Sequence, residues 1–210
     1  MIEKQIFANY ITLILYQTAL SFTFLNLPQT KRQWLKCLFV VVVILFLGVL
    51  AYKNFGHEYL KQTAPLVIHL PLLLSLLLIF KKSLLPSLFS LLTAYLLSVP
   101  RQWLGDAVMY VIGNPYPVIY YGAQVLFTPI LFLLCWWFLA PYMRLVEHED
   151  PHLVRILLIT PCAYYIWEFV FTIYSRILYE HPLAIDGMIS FFVLLAIIIA
   201  CKVLHYLEHR

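Results

Sequence analysis

The chain has 210 residues, of which 63% are hydrophobic and only 11% charged, against about 45–50% and about 25% in soluble globular proteins. Its mean hydropathy is +0.88. A soluble domain could not cover its surface with so few polar groups, and disorder is excluded by the same figures. The formal charge of +4 is too small and too scattered for a nucleic-acid module, so no nucleic-acid partner is expected. The class this leaves is all-α: a polytopic membrane helical bundle embedded in a lipid bilayer. At roughly 20 residues per span, about seven transmembrane helices leave no room for a second domain, so residues 1–210 read as one unit.

The first span covers about residues 5–25 and is polar at its start, with Asn9, Gln17 and Thr18. MIEKQIFANY lacks a basic segment followed by a cleavage site and reads as a retained span. Leu27-Pro28 and the cluster Lys31, Arg32, Lys36 then break the chain. The second span is about 37–52 and the third about 63–80, ending at Lys81-Lys82. The fourth starts at about 84. Either it stops before Pro100 or it kinks there and continues to about Ile112. Gly113-Asn114-Pro115 is a firm break. The remaining spans are about 117–140, 153–179 and 184–207.

With seven spans, nine basic residues (Lys31, Arg32, Lys36, Lys81, Lys82, Arg144, Arg155, Lys202, Arg210) fall on one side. Four (Lys4, Lys53, Lys61, Arg101) fall on the other. The excess of basic residues in cytoplasmic loops places the N-terminus outside and the C-terminus in the cytoplasm of a bacterial inner or plasma membrane.

The sixth span carries the most chemistry. Glu168 and Arg176 lie at or near membrane depth, where a charge at a helix centre costs about 2.5–3.5 kcal/mol and seeks protein or water. At about 100° per residue, Tyr164, Glu168, Thr172, Ser175 and Tyr179 share an arc of roughly 80°, flanked by Tyr165 and Arg176. Such a stripe either lines a ligand cavity or bridges helices by hydrogen bonds. The second candidate is Pro100-Arg101-Gln102-Trp103-Leu104-Gly105-Asp106. If the helix ends there, Trp103 belongs to the interfacial belt and Arg101 pairs with Asp106 across a turn. If it continues, Arg101 and Asp106 are buried beside a kink, with Glu168 a partner for Arg101. The ligand-binding or signalling set is therefore Arg101, Trp103, Asp106, Tyr164, Tyr165, Glu168, Thr172 and Arg176.

Other ionisable groups read as structural. Cys37, Cys135, Cys162 and Cys201 form no C-x-x-C pair and are expected as buried thiols. Glu147-His148-Glu149-Asp150-Pro151-His152 reads as a solvated loop, because Pro151 breaks the spacing that would converge its side chains. His69, before Pro71, reads as a hydrogen-bonded packing residue. There is no H-E-x-x-H, G-x-S-x-G or P-loop, so neither catalysis on this chain nor a metal or cofactor is expected.

Leu70-Pro71-Leu72-Leu73-Leu74, then Thr93-Ala94-Tyr95-Leu96-Leu97 running into Pro100-Arg101-Gln102-Trp103-Leu104-Gly105, resembles the membrane sensor region of GHKL-type histidine kinases of gut Firmicutes. Thr160-Pro161, Ala163-Tyr164-Tyr165, Glu168 and Ile173-Tyr174 are similar to its later part. The resemblance implies a sensory input module of a two-component system that acts as a homodimer and signals through its last helix. Some relatives, the accessory-gene-regulator sensors, detect secreted peptides, so the ligand implied is a small molecule or a peptide. The phosphoacceptor and ATP-binding machinery of that group does not occur within these residues, and would follow residue 210. A small-solute transporter is the alternative, and the Pro100 region is the part that fits it.

Overall fold

The computed structural model describes residues 2–56, 59–113, 116–146 and 151–170. Among them all regular structure is helical. Helix α1 spans Ile2–Phe24 and α2 Lys31–Phe55. Helix α3, Leu60–Ala64, runs through a π-helical turn at Pro65–His69 into α4, Leu70–Leu78. Then come α5, Leu84–Leu96, and α6, Val99–Ile112. Helix α7, Pro117–Leu134, passes through a second π turn, Cys135–Leu139, into α8, Ala140–Val146. Helix α9 is Pro151–Trp167. Five helical stretches are long and apolar enough to cross a bilayer: Glu3–Phe24, Lys31–Phe55, Leu84–Ile112, Pro117–Arg144 and Pro151–Val170; a sixth apolar stretch, Gln62–Leu78, is shorter. The chain is a helical membrane protein. The expected seventh span, about 184–207, lies outside the described residues.

The fourth span continues past Pro100, with a break at Leu97–Ser98. Proline has no N–H to return to the preceding turn, so α5 ends at Leu96 and α6 restarts with Pro100 in its first turn. Arg101 N–H bonds back to the Ser98 carbonyl (3.2 Å). That frees the Leu97 carbonyl, which instead accepts from the Tyr16 hydroxyl of α1 (3.2 Å). A neighbouring helix thus satisfies the backbone group that the break exposes, as a bilayer requires. Helix α6 closes at Gly113, in the left-handed conformation that a glycine adopts without strain (φ 66°).

The two N-terminal helices bury themselves in opposite ways. On α1, Tyr10, Ile14, Gln17, Thr18, Leu20, Ser21, Phe22 and Phe24 are all buried, positions that run around the whole helix. It is the central post, packed on α2, α5 and α7. On α2 the buried positions are Cys37, Val40, Ile44, Gly48 and Ala51, a single stripe. Leu35, Leu38, Phe39, Val42 and Phe46 are exposed, the apolar face that a bilayer covers. Thr30 starts this helix, its hydroxyl accepting from Gln33 N–H.

Small residues bring α1 and α5 together: Thr18 and Ser21 face a stripe of Ser87, Ser90 and Ala94, all buried. Ser90 Oγ donates to the Ser21 carbonyl (2.8 Å). In Ser90→Ala that bond is lost at almost constant packing, with an expected cost of about 0.6–1.7 kcal/mol. Denaturant unfolding in detergent, followed by circular dichroism, measures it.

One end of the bundle collects basic residues. Lys36 Nζ donates to the Ile79 carbonyl (3.1 Å), beside Lys81 and Lys82. Arg144 Nε donates to the Thr23 carbonyl (3.1 Å) at the end of α1. Glu3 lies at the opposite end, where its carbonyl accepts from Tyr52 near the end of α2.

Candidate functional site

Two polar centres lie on adjacent faces of α1. The first is built around Arg101. One turn into α6, its side chain turns inward and is only 1% exposed. Arg101 Nη2 donates to Asn9 Oδ1 (2.7 Å), and Asn9 Nδ2 donates in turn to Gln124 Oε1 on α7 (3.0 Å). The guanidinium carbon stands 5.7 Å from the Tyr16 ring centroid, a cation–π contact. Arg101 Nε is buried with no hydrogen-bond partner. Gly105, the next α6 residue on this face, lets α7 approach closely. A Cβ there would lie 2.8 Å from Tyr120 and 3.2 Å from Gln124.

Neither sequence-expected partner of Arg101 is its partner. Asp106 points away and is exposed, because five positions along a helix from Arg101 is about 140° around it. Glu168 sits on the other centre. Trp103 is 68% exposed, two positions from Arg101 and on the outer side of α6.

The second centre is a cavity of about 70 Å³. Its walls come from α1 (Tyr10, Leu13, Gln17), from α3 and the first π turn (Leu60, Ala64, Ile68, His69), from the α5–α6 break (Tyr95, Ser98, Gln102) and from the end of α9 (Glu168, Phe169). Helical spacing explains the sorting. Tyr10, Leu13 and Gln17 recur at i, i+3 and i+7 on one face of α1, whereas Asn9 and Tyr16 lie on the adjacent face toward Arg101. On α6, Ser98 and Gln102 (i, i+4) face the cavity while Arg101 and Gly105 (i, i+4) face α1 and α7.

An aromatic cluster closes one side. His69 Nδ1 and the Tyr165 hydroxyl are 2.8 Å apart. The His69 ring meets Tyr95 edge-on at 5.0 Å and Tyr165 at 5.4 Å; Tyr165 packs on Phe169 at 4.6 Å. The Tyr95 and Tyr164 hydroxyls interact with the Glu168 carboxyl. Gln17 is only 4% exposed and lines the cavity; the Tyr10 hydroxyl, also in the lining, is buried with no hydrogen-bond partner. At Glu168 the helix widens to π geometry through Val170, so a constant 100° per residue does not extrapolate from Tyr164 beyond this point.

Of the sequence-expected residues, Tyr164, Tyr165 and Glu168 meet at the cavity or in its aromatic wall, and Arg101 forms the neighbouring centre. Trp103 and Asp106 join neither. Thr172 and Arg176 lie outside the described residues, as do Ser175, Tyr179 and Cys201. His69 is a hydrogen-bonded histidine in the core, 6% exposed, and it is also a wall of the cavity. Cys37 and Cys135 are buried, and both are free, as is Cys162. Asn9 and Gln17 escaped the sequence-based set, although the polar start of the first span was their signal, and so did Gln102 of the Pro100–Asp106 segment. No His, Cys, Asp or Glu grouping among the described residues is arranged to hold a metal ion.

Fold and site together define a helical membrane protein with a polar cavity inside its bundle. No known protein family, curated protein or solved structure matches the chain.

Proposed function

We propose that this chain is the membrane-embedded sensory input module of a histidine-kinase-type receptor, and that its ligand enters the cavity between α1, α3, α6 and α9. The observation that carries this reading is a cavity inside an apolar bundle that is lined in part by polar side chains. Gln17 and Glu168 face a void, where packing alone would favour apolar side chains. A drug-sized site measures about 300–1,000 Å³, so a cavity of about 70 Å³ favours a small molecule over a peptide. In this reading seven spans cross the membrane with the N-terminus outside, supported by the basic residues gathered at one end of the bundle. Glu168 lies on the element that leads toward the last span, so ligand binding biases that span's packing, and across a homodimer its output.

Filling the cavity tests this. Ala64→Leu projects a larger apolar side chain into it and is expected to shift basal phosphorylation at least fivefold, and to remove the response to ligand, in a receptor that carries the whole chain ahead of a kinase core. Unchanged output with an unchanged ligand response would sink the reading.

The broken fourth span and the π-helical turns favour a second reading, a small-solute transporter, since such proteins place interrupted helices at their binding sites. Solute accumulation by the chain alone in sealed vesicles, blocked by Ala64→Leu, would select it.

A further inference from the structure

The cavity's chemistry specifies the sign of its ligand. Among the described lining residues Glu168 is the acidic group, and no lysine or arginine stands with it. Its carboxyl interacts with two tyrosine hydroxyls, which are hydrogen-bond donors without charge. Arg101, the counter-ion that a continued fourth span suggested for Glu168, is turned to the other face of α6 and held by Asn9. The Gln17 side chain, 4% exposed, lines the same cavity, the Tyr10 hydroxyl there is buried with no hydrogen-bond partner, and the rings of Tyr10, Tyr95 and Phe169 form walls.

Resting on the sensor reading, we propose that the cavity binds a small organic ammonium ion, a protonated amine of a few non-hydrogen atoms. An anion would meet Glu168. A neutral molecule would leave that partly buried carboxyl without a counter-charge from the described lining. A divalent metal needs a larger set of oxygen ligands than one carboxylate and a few neutral groups supply. The aromatic walls favour an alkylammonium over a hydrated alkali ion, because ring faces attract a weakly hydrated cation and bury its alkyl part. Size agrees: the volume is about half of the roughly 150 Å³ that holds a benzene. The ammonium would donate to Glu168 and to the Gln17 carbonyl oxygen. For so few atoms the dissociation constant is expected at about a millimolar.

The test uses the whole chain in lipid nanodiscs and reads its thermal unfolding midpoint against ethylammonium chloride, ethanol, sodium acetate and potassium chloride at matched ionic strength. Expected is a saturable rise with ethylammonium alone, lost in Glu168→Gln and in Ala64→Leu. Native protein that shows no saturable rise with ethylammonium overturns the proposal. So does a saturable rise with potassium or sodium, or an ethylammonium effect that persists in Glu168→Gln. The sensor reading fails separately. A saturable effect of ethanol or acetate that Ala64→Leu abolishes would keep that reading and discard the cationic ligand, whereas indifference of both binding and kinase output to Ala64→Leu would discard both.

Discussion

Arg101→Met is expected to leave the fold at least as stable as the native chain, while Arg101→Ala is less stable than Arg101→Met by about 2–5 kcal/mol. The guanidinium is enclosed, has one unpartnered nitrogen and, among the described residues, has no carboxylate beside it. Its compensation is a single hydrogen bond to Asn9 and the face of Tyr16. A charge at membrane depth costs about 2.5–3.5 kcal/mol, whereas stranding Asn9 Oδ1 costs about 1–3 kcal/mol. Methionine keeps most of the volume and removes the charge, so those two terms nearly cancel or favour the variant. Alanine removes the charge as well but leaves a void between α1, α6 and α7, and the cavity term then dominates. Denaturant titration of the two variants beside the native chain decides the order. If Arg101→Met proved less stable than the native chain and no more stable than Arg101→Ala, the side chain's charge and not its bulk would be holding these helices together. A methionine variant that is stable but no longer signals would place the value of Arg101 in function.

Gly105→Val is expected to cost about 1–3 kcal/mol by overpacking the α6–α7 contact. A Cβ at this position already falls 2.8 Å and 2.9 Å from Tyr120 ring carbons and 3.2 Å from Gln124 Cγ, and valine adds two methyl groups to it. The helices must separate or Tyr120 must leave its place. Either movement draws Gln124 away from Asn9 and loosens the support of Arg101. The check is a double-mutant cycle: Tyr120→Ala removes the obstructing ring, so its combination with Gly105→Val should recover part of the loss. Gly122→Ala on α7 is the control, since a Cβ there meets nothing within 4 Å, and it is expected to be neutral or slightly stabilising. Equal losses at Gly105 and Gly122 would mean that helix approach is not what Gly105 provides.

Periodicity and composition made most of the helical plan legible. Runs of apolar residues marked the spans because a bilayer accepts a helix whatever its neighbours, and Gly113 and the lysine pairs marked ends for local reasons. Helix α2 starts earlier than its apolar run, at Lys31, because Thr30 caps it. The fate of the fourth span was not local. Whether a chain continues beyond Pro100 depends on a partner for the carbonyl freed at Leu97, and that partner is Tyr16, 81 residues away.

The candidate site divides in the same way. That Glu168 and Arg101 needed polar surroundings followed from their charge in an apolar span. Which surroundings they have did not. Opposite charges suggested a pair, yet Arg101 and Glu168 occupy different centres, because Arg101 and Gln102 are neighbours in sequence and therefore point about 100° apart on one helix. The cavity draws on four separated stretches of chain, and its least conspicuous contributor, Gln17, is identified only by its burial and its place in the lining.

Composition and hydropathy by themselves determined that this protein lives in a membrane as a bundle of helices, since burial in lipid is a property of each segment alone. Tertiary structure alone decided that its rare polar groups form two centres, which among the described residues hold a cation without an acid and an acid without a cation. Helix rotation and close approach at glycine and serine assign each side chain to a neighbour, and neither is written in the order of the residues.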